Sequence, residues 1–75
     1  MAALDATAQE LIGIAAAVAG HCRPCLEYHL AEARGLGVSD DQIREAVKLA
    51  EAISRSGDRR MHEFAEGDQG RTGGR

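Results

Sequence analysis

From Leu11 to Ala19 the chain carries no polar side chain. At helical spacing this stretch offers two apolar stripes at once, Leu11, Ile14, Ala15 and Val18 on one side and Ile12, Ala16 and Ala19 on another. A helix apolar nearly all round must be covered nearly all round, and 75 residues leave little chain to cover it. Apolar burial at roughly 25 cal/mol per Å² barely offsets an ordering cost of about 1.5 kcal/mol per residue at this size. A bridge between Cys22 and Cys25 would close almost no loop, so it is a poor staple. One Tyr and one Phe against abundant alanine suit helices packed closely over a broad, flat interface rather than around a bulky private core. An obligate homo-oligomer is the expected solution.

The remaining patterning is helical as well. No stretch alternates β-branched with polar residues, whereas three segments place apolar residues at helical spacing, so the expected fold class is all-α. Thr7-Ala8-Gln9-Glu10 has the form of a capping box and predicts a first helix from near Thr7 to Gly20. Pro24 suits a first turn, which predicts a second helix from Cys22 or Arg23 to about Arg34; Gly35 and Gly37 then supply left-handed conformations for the turn. Ser39 and Gln42 form a second capping box, with Asp40 and Asp41 favoured by the helix dipole. The third helix would bury Ile43, Ala46, Val47, Leu49, Ala50 and Ile53 and stop at Gly57. Asp58 would cap a short fourth helix carrying Met61, Phe64 and Ala65 on one side. One domain over residues 1–66 is therefore expected, followed by a solvated, disordered tail over 67–75, where Gly67, Gly70, Gly73, Gly74, Arg71 and Arg75 stand without an apolar residue.

A net charge of −3 with Lys and Arg scattered among acids argues against nucleic acid as a ligand. The Ala3–Ala19 stretch is interrupted by Asp5, Gln9 and Glu10 and lacks a basic start, so neither an export signal nor a bilayer span is expected, and the cytoplasm is the default compartment. There a close cysteine pair is more often catalytic or metal-binding than structural.

The residues that carry chemistry lie in Gly20-His21-Cys22-Arg23-Pro24-Cys25-Leu26-Glu27-Tyr28-His29. Cys22 and Cys25 stand i, i+3 and His29 follows Cys25 at i+4, which puts all three on one helical face. Cys25 falls in the first turn of this helix, where unpaired N–H groups and the dipole favour its thiolate, the state that attacks peroxides and disulfides. His29 is placed to relay a proton, and the neighbouring thiol can condense with a sulfenic acid to give a reducible disulfide. Spacing leaves open which thiol attacks first; adjacency to His29 favours Cys25. The stripe Glu10, Gly13, Ala17 and His21 offers small residues after a carboxylate, allowing close approach of the second helix.

Glu10, then Cys22-x-x-Cys25-x-x-x-His29, then Gly37-Val38-Ser39 leading into Ile43-Arg44-Glu45-Ala46, resembles the AhpD-like alkylhydroperoxidase/carboxymuconolactone decarboxylase family. The resemblance covers nearly everything from Glu10 to Ala50. It implies an all-helical subunit in a trimer or a multiple of one, and reduction of small hydroperoxides through the cysteine pair without metal or organic cofactor. An external thiol would act as reductant. It also implies Glu10 as general base drawing a proton through His29, Cys25 as the attacking thiol and Cys22 as the resolving one. Lactone decarboxylation, the other activity of the wider family, fits less well because that branch generally lacks the cysteine pair.

Plainer readings stand beside these. Glu10 is explained without catalysis by the capping box with Thr7. Cys22, Cys25 and His29 with His21 or His62 supply enough ligands for zinc, although no second ligand pair at structural-zinc spacing is present. The alternative to an enzyme is thus a non-catalytic helical oligomeric module with structural or zinc-binding cysteines. His62 is expected to be solvated, Tyr28 to pack at an interface and Glu27 to lie on the surface.

Overall fold

The computed structural model describes residues 3–73, with side chains up to residue 67. These residues form three helices and no strand: α1 (Ala6–Ala19), α2 (Arg23–Gly35) and α3 (Asp40–Gly73). The all-helical expectation holds. α1 is the central element, packing against both α2 and α3, which explains part of its wide apolar surface. Its stripe of Leu11, Ile14, Ala15 and Val18 is wholly or partly buried, while Ile12, Ala16 and Ala19 remain exposed.

The start of α1 differs from the sequence reading. Asp5, not Thr7, is the N-cap: its carboxylate accepts the N–H of Ala8 at 2.8 Å. Either residue type can cap a helix, and the start two residues earlier adds Ala6 and Thr7 to it. The Thr7–Glu10 capping box therefore does not form, and Glu10 is released for another partner. Asp5→Ala is expected to destabilise the fold by about 1 kcal/mol, to be read from urea unfolding followed by far-UV circular dichroism.

α1 and α2 end alike. In each, two main-chain N–H groups fold back on the last turn around a residue of positive φ. At α2 that residue is Gly37, φ 80°, with Val38 N–H donating to Ala33 O at 3.0 Å and Gly37 N–H to Arg34 O at 3.0 Å. Val38 and Ala33 then enter the core with Ile14 and Ile43. At α1 the left-handed residue is His21, φ 57°, rather than Gly20; Cys22 N–H donates to Ala17 O at 3.0 Å and His21 N–H to Val18 O at 3.2 Å. Gly20 remains in the right-handed region as the C-cap.

The Ser39 box forms as expected, with Gln42 N–H donating to Ser39 Oγ and Ser39 N–H to Gln42 Oε1, both at 3.1 Å. α3 does not stop at Gly57, and Asp58 caps no separate helix. A glycine inside a helix costs only about 1 kcal/mol and keeps its N–H, and no proline interrupts the chain after Pro24. The backbone of α3 is helical to Gly73. The expected tail thus falls partly in this helix and, at residues 74–75, outside the described residues. Ile43 and Ala50 of α3 are buried, but Leu49 and Ile53, expected in the same stripe, are each 62% exposed. α1 covers only the side of α3 that carries Ile43 and Ala50, which leaves Leu49 and Ile53 open although both lie in the first half of the helix. At 1.5 Å per residue α3 is about 50 Å long, and the molecule measures 58 × 25 × 20 Å. No helix among the described residues is long and apolar enough to cross a membrane.

Candidate active site

The turn after α1 delivers Cys22 directly to the N-cap of α2, where its Sγ accepts the N–H of Cys25 at 3.3 Å. Pro24 occupies the first turn, with its missing N–H where none is needed. Cys22 and Cys25 are joined as a disulfide across a Cα–Cα distance of 5.3 Å. Cys25 is exposed and Cys22 half-buried. The sequence placed a favoured thiolate at Cys25; the main-chain donor instead meets Cys22. A negative charge formed on Cys22 when the disulfide opens would face that N–H and the positive end of the helix dipole.

One turn after Cys25, His29 Nδ1 lies 2.7 Å from Glu10 Oε1. As a carboxylate, Glu10 can only accept, so Nδ1–H donates. The other ring nitrogen then carries the lone pair, leaving Nε2 as the basic atom. The two side chains keep 28% and 17% of their surface exposed, which shields the pair from most solvent competition. The Tyr28 ring meets His29 edge-on at 5.1 Å between centroids. Tyr28 itself is 60% exposed.

The four residues singled out in the sequence thus come together as two bonded pairs, Cys22 with Cys25 and Glu10 with His29. Cys25 and His29 tie the pairs through a shared face of α2. His21 does not extend the Glu10 stripe, because its left-handed turn carries it out of α1. It borders instead a groove of about 400 Å³ that Val18, Cys22, Leu26, Val47 and Glu51 also line. That groove was not legible in the sequence, since Val47 and Glu51 arrive from α3 through tertiary packing alone. His62 is exposed and faces Glu66 at 3.3 Å, remote from the site. Glu27, also exposed, pairs with Arg23 at 3.4 Å. Among the described residues no three His, Cys, Asp or Glu side chains converge as a metal site.

A Cys-x-x-Cys pair at disulfide distance at the start of a helix, with a carboxylate-bound imidazole one turn on, is compatible with a redox role. The chain matches the carboxymuconolactone decarboxylase family over residues 2–62. It belongs to that family, the one its motifs resemble. No curated protein and no solved structure matches it.

Proposed function

We propose that this protein is a thiol-dependent peroxidase that reduces hydroperoxides through Cys22 and Cys25, with His29 and Glu10 as its proton relay. The observation that carries the reading is the pairing of the two sulfurs next to a His29–Glu10 contact of 2.7 Å. Family membership supports a redox role for the pair.

In the reduced protein, His29 Nε2 takes the Cys25 proton. The Cys25 thiolate attacks the terminal oxygen of the hydroperoxide; an S–O bond forms, the O–O bond breaks, and the leaving alkoxide takes the proton from His29 to depart as an alcohol. Cys22 then attacks the Cys25 sulfenic acid and expels water, giving the disulfide. An external dithiol attacks Cys25 and releases Cys22 as a thiolate; its second thiol completes the exchange, so that the donor leaves oxidised and both cysteines are restored. The exposure of Cys25 and the N–H bound to Cys22 support this order, since the sulfur whose thiolate is better stabilised is the better leaving group. No metal or organic cofactor enters the cycle, and a reducing cytoplasm would supply the dithiol.

The test is consumption of an organic hydroperoxide by the purified protein in the presence of a dithiol reductant. Catalytic turnover is expected; a protein that consumes no more peroxide than the reductant alone overturns the proposal.

The functional unit is a homo-oligomer, a trimer or a multiple of one. Ile12 at 53%, Ile53 at 62% and Phe64 at 67% exposure are too much apolar surface for a lone chain of this size, and the open stripe of α1 supports a second copy as its cover. Ile12→Glu is expected to convert the assembly toward the 7.9 kDa single chain in sedimentation velocity. A parent protein already sedimenting at that mass would refute the assembly.

A further inference from the structure

We infer that Gly13 is a positioning residue for the proposed reaction: the missing side chain at this point of α1 forms the notch in which the His29 imidazole is seated and held against Glu10. The inference rests on the reading of His29 as the proton relay, and its structural half can be tested without that reading.

Gly13 sits in the middle of α1, surrounded by Ile12, Ile14 and a run of alanines. Helix propensity disfavours glycine there more than any other residue except proline. A Cβ built on Gly13 would lie 2.6 Å from His29 Nδ1, 2.7 Å from Cε1 and 2.8 Å from Cγ. Those separations are far inside contact distance, and the neighbour they strike is a flat ring bound at 2.7 Å to Glu10, not the loose end of a long chain. The ring can move aside only by giving up the carboxylate.

Glu10 and Gly13 are one turn apart on the same face of α1. The carboxylate grips Nδ1 while the notch lets the ring plane lie against the helix backbone. Together they fix the Nδ1–H tautomer and the direction of Nε2. By contrast, Gly35, Gly57 and Gly67 have open space where a Cβ would stand. At Gly20 the neighbour is a carbonyl oxygen of its own helix, Ala16 O at 3.0 Å, so among the described glycines only Gly13 would strike a side chain of another helix.

The experiment is a cycle of Gly13→Ala and His29→Ala on the full chain. With the ring removed by His29→Ala, adding Gly13→Ala is expected to raise the melting temperature by about 4–8 °C, the usual gain from replacing a mid-helix glycine in a domain of this size. In the parent background the same substitution is expected to give no gain or a loss. Failure of Gly13→Ala to fold while the double variant folds would equally support the notch. The ¹⁵N resonances of the His29 ring are expected to lose the Nδ1–H tautomer pattern in Gly13→Ala. Peroxide turnover should fall by about 10²-fold, with KM for the hydroperoxide unchanged. Equal stabilisation in both backgrounds, with the parent ring spectrum retained, would overturn the inference. Absence of peroxide turnover in the parent would refute the proposed function and leave the notch to be decided by the cycle and the spectrum.

Discussion

Cys25→Ser is expected to reduce peroxide turnover by at least about 10³-fold, the scale on which loss of an attacking nucleophile is felt. A serine hydroxyl in the same place is a far weaker nucleophile, and it cannot form the disulfide joining positions 22 and 25. Cys22→Ser should behave differently. With Cys25 intact, one equivalent of peroxide should react rapidly and leave a sulfenic acid with no resolving thiol, open to further oxidation. A fast single turnover in Cys22→Ser beside no turnover in Cys25→Ser fixes the order of attack; the reverse pattern exchanges the two roles. Rates equal to the parent in both variants would defeat the mechanism altogether.

Glu10→Gln should lower turnover by about 10²- to 10⁴-fold, the range seen when a general base loses the group that orients it. The substitution keeps the size of the side chain but replaces a pure acceptor with an amide that can donate. An amide NH₂ facing Nδ1 would favour the opposite tautomer and place the proton on Nε2, where a base is needed. The change should act on chemistry rather than on folding, because Asp5 caps α1 and Glu10 takes no part in that cap. Unchanged helical content beside lost activity is the expected combination. Full activity in Glu10→Gln would remove the carboxylate from the relay.

Much of this site is legible in the sequence because its grouping is local. Cys22, Cys25 and His29 belong to one helix, whose start is marked by Pro24, so their common face follows from spacing. The Glu10 contact spans two helices and is much less legible. Thr7 and Glu10 fit a capping box so well that the sequence offers a complete non-catalytic account, and only the competing cap at Asp5 removes it. Gly35 misleads in the same way. Read with Gly37 as a left-handed position, it stays within α2, and of the two only Gly37 has a positive φ. Gly57 is a third instance: glycine weakens a helix without forbidding it, so the length of α3 depends on the absence of a stronger breaker. Leu49 and Ile53 read as core from periodicity, which reports that a face is apolar but not which chain covers it.

The link between α1 and α2 is only Gly20, His21 and Cys22, and each of the three donates its main-chain N–H back into α1. Such a connector has no slack. An α-helix turns by about 100° per residue, so an insertion or deletion between Glu10 and Gly13 would swing the carboxylate away from the imidazole it holds. Length variation among chains that share this arrangement is therefore expected before Asp5, around Leu36–Ser39 or in the far half of α3, and not between positions 10 and 29.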